Sequence, residues 1–465
     1  MNIIAPPSSA GTDGFPSDEA VGRTEADATF GRRPLRVLVV SESSLEQTNG
    51  VSGSIRHILD RFAERGFDAR VIAPGPAPEG GAYAGYPVEE TPSFPIQRFN
   101  VAVTTKSSVI RDILDGPKPD VIHVAAPISK LGHAALIAGD ELHVPTVAIY
   151  QTDVAQYARR FAREAVTGEK GVDGTAPSAV ERSAADRSAS KKDADSAWPR
   201  HTKWLRRIGK AAGEQAERIV AERMARMHNL ATMTLAPTED ARDRLESFGV
   251  DPDLIRLWGR GVDTTLFSPT RADDPQARAW HREWSDDGRL PVVGYVGRLA
   301  PEKQVERLVA LDGLRMRLVV VGGGVSAREL RRRLPHAVFT GMLHGRDLAD
   351  AYAALDVFVH TGAEETFGQT IQEAMASGLP VVAPASGGPL DLVDEGRTGL
   401  LFDPHDEDDA DLHDRVGRLI DDDALRHGMG AAGLEAVQGR TWPAMVDRLI
   451  DYYHLAMELR MAQDG

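Results

Sequence analysis

Two carboxylates, Glu365 and Glu373, flank the run Thr366-Phe367-Gly368-Gln369-Thr370-Ile371-Gln372. Carboxylates accept hydrogen bonds from hydroxyl groups. A short apolar strand pattern, Val357-Phe358-Val359-His360, comes just before, and a helix-forming run follows. Strand, loop, acid, glycine and helix start is an arrangement that offers free backbone N–H groups and the positive end of a helix to a phosphate. Phosphate next to polyol is the chemistry of a nucleotide sugar.

A second set of residues fits the same ligand. Arg298 and Lys303 lie in the loop Gly297-Arg298-Leu299-Ala300-Pro301-Glu302-Lys303, directly after the apolar run Val292–Val296. That is the carboxyl end of a strand, where open α/β sheets bind ligands. A guanidinium grips a diphosphate through two parallel bonds, and an ammonium adds a point charge. Such cations matter most when the diphosphate departs and its negative charge grows. Taken alone, the pair also reads as two solvated cations near a turn.

Gly387-Gly388-Pro389 follows another strand end, Val381-Val382-Ala383. Small residues there permit close backbone approach to a sugar, and Pro389 suits a first helical turn. An ordinary tight turn is the alternative. Gly322-Gly323-Gly324 lacks the third glycine of a dinucleotide fingerprint but leaves room for a nucleoside. Asn49-Gly50 reads either as a backbone donor to the diphosphate or as a plain left-handed turn. His123, at a strand end, either lines the cleft or is a satisfied buried histidine. The acidic runs Asp406–Asp411 and Asp421–Asp423 read as solvated turns, because no rigid element spaces them as metal ligands. Lys203-Trp204-Leu205-Arg206-Arg207-Ile208-Gly209-Lys210 reads as a basic amphipathic helix on an anionic membrane surface, or as a helix end packed on its own domain.

These residues need a scaffold. At 465 residues the chain is too long for one ordinary core, and two domains are expected. Strand patterns at Leu35–Val40 and Ala69–Ala73 enclose a helix whose Ile55, Ile58, Leu59 and Phe62 form one stripe, with Gly66 as its C-cap. Val121–Val124, Thr146–Tyr150 and Thr232–Ala236 add strands, and Thr238 is a helix N-cap. A second series follows at Val292, Arg317–Val321, Ala337–Phe339, Val357 and Val381. The expected fold class is α/β: two Rossmann-like, doubly wound domains facing a central cleft. The boundaries read as a disordered tail at 1–33 and a first domain at 34–258 with a disordered insertion at 162–199. A second domain follows at 259–440, and a C-terminal helix at 441–465 packs back on the first domain. The segment Trp258–Phe267 reads as the linker between the two.

Composition narrows the function. A net charge of −15 argues against a general nucleic-acid binder. There is no cysteine, so disulfides and thiolate metal sites are excluded. No apolar run approaches the about 20 residues that span a bilayer. The N-terminus has neither the basic start nor the apolar core of a secretory signal, so a cytoplasmic location is expected.

The Gly297–Lys303 loop, the Glu365 and Glu373 element, Gly387-Gly388 and the Asn49-Gly50 loop together resemble the family four glycosyltransferases with the GT-B fold. Ala148-Ile149-Tyr150-Gln151-Thr152-Asp153, Gly294–Lys303 and Phe358-Val359-His360 resemble the actinobacterial GDP-mannose-dependent α-mannosyltransferases that act on membrane glycolipids. The resemblance implies that Arg298 and Lys303 hold the donor diphosphate and that Glu365 accepts from the sugar hydroxyls. It implies that Phe367, Gly368 and Gln369 frame the phosphate, that Glu373 binds the ribose and that Gly50 reaches the diphosphate from the first domain. It further implies transfer of mannose from GDP-mannose with retention, by front-face substitution, without metal or cofactor. The acceptor would be a phosphatidylinositol mannoside or glycosyl diacylglycerol at the inner face of the plasma membrane. Where many relatives carry a histidine, this chain has Gln151, which cannot titrate but can orient an acceptor. Asp153 reads as an acceptor contact or as a helix cap. No carboxylate in clear register identifies guanine, because Asp347 is displaced.

Competing readings are a uridine-sugar transferase of the same fold, a GT-B sugar-nucleotide epimerase and a nucleotide-sugar-binding regulator. An epimerase needs acid–base residues where Gln151 stands. A regulator need not keep Arg298, Lys303, Glu365 and Glu373 together.

Overall fold

The computed structural model describes residues 33–47, 49–96, 99–102, 116–167 and 201–464. The expected tail before Arg33, and 168–199 of the expected insertion, lie outside the described residues. So does the side chain of Trp204, although its backbone is helical.

Two parallel sheets form the two domains. In the first, β1 (Arg36–Val40), β2 (Asp68–Pro74), β3 (Ala82–Tyr83), β4 (Tyr86–Thr91), β7 (Val121–Val124), β8 (Thr146–Ile149), β9 (Met233–Ala236) and β10 (Ile255–Leu257) pair in the order β10-β9-β8-β7-β1-β2-β4-β3. Only β3 runs antiparallel. A separate hairpin joins β5 (Ser93–Ile96) to β6 (Phe99–Ala102). The second sheet takes β11 (Val292–Val296), β12 (Arg317–Val321), β13 (Val338–Gly341), β14 (Val357–Val359), β15 (Val381–Pro384) and β16 (Gly399–Phe402) in the order β13-β12-β11-β14-β15-β16.

The central strands are continuous apolar runs because both faces are covered. Val37 and Val39 enter one cluster, while Leu38 and Val40 enter the cluster on the opposite face. In the second sheet Val292 and Val296 go to one side, Val293 and Tyr295 to the other. The covering helices of the first domain are α1 (Gly50–Arg65), α2 (Lys130–Glu141), α3 (Val154–Thr167), α4 (His201–His228) and α5 (Glu239–Phe248). Those of the second are α6 (Pro275–Trp284), α7 (Ala327–Arg333), α8 (Gly345–Ala353), α9 (Gln369–Ala376), α10 (Pro389–Leu392), α11 (Ala410–Asp421) and α12 (Asp423–Val437). The last helix, α13 (Trp442–Asp464), places Val446, Leu449, Ile450 and Tyr453 in the core of the first domain. The chain therefore crosses between domains twice, and the two crossings touch where Val262 bridges Thr441.

Local signals are obeyed at the ends of helices. Gly66 caps α1 in the left-handed region at φ 72°, and Thr238 accepts from the Ala241 N–H to cap α5. Several elements differ from the sequence reading. Residues 162–167, expected to begin the insertion, complete α3 instead. α3 lies against α4, and Gly213 permits the approach, since a Cβ there would stand 2.8 Å from the Arg159 carbonyl. β4 and β16 went unread, the first because Pro87 and two glutamates look like a loop, the second because four residues carry little pattern. β2 and β15 supply the hydrogen-bond edge that makes each a strand.

Candidate active site

β14 delivers the chain to the first carboxylate. After it come the buried His360 and Thr361, then Glu365, then α9. Lys303 Nζ donates to Glu365 Oε2, forming an ion pair. Burial pushes the Glu365 carboxyl up, but the Lys303 ammonium and its hydrogen bond outweigh it, and the carboxyl titrates below its usual range. Burial likewise pulls Lys303 down, and Glu365 more than restores it. Both groups are ionised at neutral pH. Thr361 Oγ1 donates to the Lys303 carbonyl at 2.6 Å and fixes the lysine backbone. The His360 Nε2 lies 3.8 Å from the same Glu365 oxygen. Burial pulls the imidazole down to about 4, so it is neutral, and neither ring nitrogen has a hydrogen-bond partner among the described residues. Arg298 pairs with Glu302 at 3.0 Å and keeps its side chain 55% exposed, open to a ligand.

Gly368 starts α9 at φ 101°, with Phe367 buried behind it. The first N–H groups of a helix have no intrahelical partner. Gln369 donates from its side-chain Nε2 to the Gly261 carbonyl at 3.0 Å, and the same amide helps hold the Glu373 carboxyl down. Glu373 accepts from the Tyr352 hydroxyl at 2.9 Å. Burial raises its carboxyl to about 7, against the pull of that hydroxyl.

The glycines serve the chain itself. A Cβ on Gly387 would meet the Glu365 carbonyl at 2.5 Å, and one on Gly388 would meet the Phe367 carbonyl at 2.3 Å. Gly387 and Gly388 thus pack on the backbone of the Glu365 loop, which requires them to be glycine whatever ligand approaches. Gly322 and Gly324 do the same for the Arg298 loop, lying against the Gly297 and Leu299 carbonyls.

The first domain faces this loop. Asn49 caps α1 by accepting from the Ser52 N–H at 2.9 Å. Gly50 is not in the left-handed region, which removes the turn reading, and a Cβ on it would meet nothing within 4 Å. Gln151 ends up held at both ends of its amide. Oε1 accepts from Arg260 Nη2 at 2.7 Å, and Nε2 donates to the Ala125 carbonyl at 3.1 Å. These two bonds give Gln151 a supporting role between Arg260 and the Ala125 carbonyl. The Gln151 backbone carbonyl accepts from Thr366 Oγ1 at 3.1 Å, and Thr238 Oγ1 donates to the Thr366 carbonyl at 3.1 Å. Arg160 of α3 reaches Glu364 at 3.4 Å and Glu302 at 4.0 Å. These contacts fasten the acidic loop across the cleft.

Asp153 is a buried structural group. One oxygen accepts from the Gln156 N–H at 3.0 Å as a cap of α3, and the other pairs with Arg244, which also binds Glu217 at 2.8 Å. The cap reading is the one the structure shows, and at 4% exposure the carboxylate is closed to an acceptor. His123 is likewise structural: Tyr453 meets its Nδ1 at 2.9 Å, and burial pulls it down to about 3. In the acidic runs, Asp409 pairs with Arg307, Asp411 with Arg415, and Asp422 caps α12. Two groups escaped the sequence reading. Arg260 looked like linker. Glu42, in the loop after β1, has no hydrogen-bond or ion-pair partner among the described residues, and burial raises its carboxyl to about 7. Its position after a central parallel strand was the available signal.

The geometry joins Arg298, Lys303, Glu365, α9 and the α1 N-terminus around one cleft. A family model described as glycosyl transferases group 1 matches residues 290–422, and one described as glycosyltransferase family 4 matches 48–266. The chain is 40% identical over 434 residues to a GDP-mannose-dependent alpha-mannosyltransferase of Mycolicibacterium smegmatis, covering 92% of this chain and 99% of that one. It is 36% identical over 430 residues to a protein of the same name from Corynebacterium glutamicum, covering 90% and 89%. Among solved structures, Anabaena HepE in complex with UDP-glucose matches with a TM-score of 0.63 at 18% identity, over 90% of this chain and 99% of that one. Sucrose-phosphate synthase from Thermosynechococcus elongatus matches with a TM-score of 0.65 at 19% identity, over 90% and 98%. These structural likenesses establish the GT-B fold of two Rossmann-like domains. The chain belongs to the family 4, group 1 glycosyltransferases and is a sugar-transferring enzyme of that fold.

Proposed function

We propose that this enzyme transfers mannose from GDP-mannose to a membrane glycolipid, with retention at the anomeric carbon. Full-length relatives at 36–40% identity that bear the GDP-mannose-dependent name support the donor. The observation that carries the chemistry is the Lys303–Glu365 ion pair at the start of α9, with Arg298 in the same loop. Lys303 and Arg298 take up charge as the bond from the anomeric carbon to the diphosphate oxygen breaks. Glu365 accepts from sugar hydroxyls, and Glu373 from the ribose.

The acceptor oxygen forms its bond on the face that the diphosphate leaves. The acceptor proton passes to the departing phosphate oxygen, so no side chain need act as base. Gln151, with both ends of its amide engaged, fits that arrangement and weakens the epimerase reading. We assign lipid contact to the α3–α4 pair, where Phe161 and Ile219 are 51% and 56% exposed and α3 also carries Arg159 and Arg163. Among the described residues no helix is long and apolar enough to cross a membrane.

The test incubates purified protein with GDP-mannose or uridine sugars and with vesicles holding phosphatidylinositol mannoside or glycosyl diacylglycerol. Lipid-linked α-mannose from GDP-mannose is the expected product. Turnover with uridine donors alone overturns the donor, a β-linkage overturns retention, and donor isomerisation without lipid restores the epimerase.

A further inference from the structure

The first crossing between domains is pinned on every side. The Trp258 N–H donates to the Ala236 carbonyl at 2.8 Å, and the Val262 N–H donates to the Arg440 carbonyl at 2.8 Å. Gln369 binds the Gly261 carbonyl at 3.0 Å. Gly261 has no room for a side chain, since a Cβ would lie 2.4 Å from the Trp442 backbone. Arg260 therefore rises into the cleft from a rigid stem.

Its guanidinium is held by neutral oxygens. Nη2 donates to Gln151 Oε1 at 2.7 Å, and Nη1 donates to Ser54 Oγ. Ser54 in turn donates to the Gly50 carbonyl at 2.8 Å, which ties the arginine to the start of α1. Among the described residues Arg260 forms no ion pair. Glu365 acts on it from a distance but is engaged by Lys303. Burial pulls Arg260 down to about 10, so it remains charged at neutral pH.

An arginine carries five N–H donors, and these bonds use two. Withdrawing a guanidinium from water against neutral partners alone is unfavourable. A strut between domains would need only the hydrogen bonds, not the charge. A planar fork on a fixed stem, with donors to spare, is complementary to a phosphate or carboxylate.

We propose that Arg260 is a further anion-binding residue of the cleft, acting from the first-domain side opposite Arg298 and Lys303, with Gln151 as the positioning residue that aims its fork. The anion is a phosphate-type group. It comes either from the donor diphosphate or from the headgroup of an anionic lipid acceptor. The assignment of these two sources rests on the transferase reading above.

The experiment compares wild type, R260Q and R260K as full chains. Calorimetry measures binding of pyrophosphate, which stands for the donor, and of inositol 1-phosphate, which stands for the acceptor headgroup. Uncharged inositol is the control. At least tenfold weaker pyrophosphate binding by R260Q assigns Arg260 to the donor. The same loss for inositol 1-phosphate alone assigns it to the acceptor. R260K keeps the charge and loses the fork, so an intermediate loss is expected, and this variant also answers if R260Q does not fold. The anion-induced rise in melting temperature, which a merely structural residue would leave in place, should shrink in parallel. Affinities within twofold of wild type for both anions in both variants overturn the proposal, as does a wild type that binds neither at millimolar concentration. Neither probe carries a base or a mannose, so an error in the GDP-mannose assignment would leave this outcome intact.

Discussion

Thr366 Oγ1 donates a 3.1 Å hydrogen bond to the Gln151 carbonyl, joining the acidic loop of one domain to a strand end of the other. The Thr366 carbonyl accepts in return from Thr238 Oγ1 at 3.1 Å. A single residue beside Glu365 thus ties its loop to two strand ends of the first domain. Thr366→Val keeps the shape and deletes the donor. A net hydrogen bond is worth about 1 kcal/mol, so the donor KM is expected to rise about fivefold with kcat little changed. Steady-state kinetics check this, and an unaltered donor KM would show that the bond does not set the loop.

Glu365→Gln keeps an acceptor but loses the charge that Lys303 pairs with. A fall of about 100-fold or more in kcat is expected, as for loss of one charge-stabilising group. The melting temperature is expected to fall as well, because Lys303 loses its partner in a mostly buried pair, so kcat is compared at a temperature where both proteins are folded. Near wild-type turnover would remove Glu365 from the reaction.

Glu373 supplies a pH dependence with a definite sign. Its carboxyl titrates at about 7, raised from 4.5 by burial. In the proposed role the ionised form accepts ribose hydroxyls, so donor affinity is expected to increase from pH 6 to pH 8. The loss at pH 6 is about tenfold, from the population of the protonated form. For folding the sign is reversed, since the native state holds the proton more tightly than the unfolded chain. The stability from this group is full below pH 4.5 and gone above about 7. Calorimetry with GDP-mannose, whose diphosphate does not titrate in this window, measures the binding slope. Glu373→Gln should flatten it. The same titration in Glu42→Gln separates the other carboxyl near 7.

Asp153→Asn breaks a buried pair with Arg244 and leaves that guanidinium with Glu217 alone. A loss of about 3 kcal/mol in stability is expected, read from denaturant or thermal unfolding. Turnover measured in the cold should remain. A large drop in kcat at unchanged stability would return Asp153 to the acceptor site.

How much of this was legible beforehand differs by residue. The α/β alternation, the Gly66 and Thr238 caps and the Glu365, Glu373, Arg298 and Lys303 motifs were readable, because each is written in neighbouring residues. Periodicity, capping and loop chemistry act over a few positions. The roles of Gln151, Asp153 and Arg260 were not readable. Gln151 meets Arg260 across 109 positions, and Asp153 meets Arg244 across 91. An amide, an acid or an arginine has several satisfactory uses, and only the folded chain selects the partner. Gly387 makes the same point in reverse: its small size was evident, but that it makes room for the Glu365 carbonyl was settled by two loops packing together. Local order follows from local sterics and hydrogen bonding, whereas the occupant of each donor and acceptor in the cleft follows from which strand ends the two sheets bring face to face.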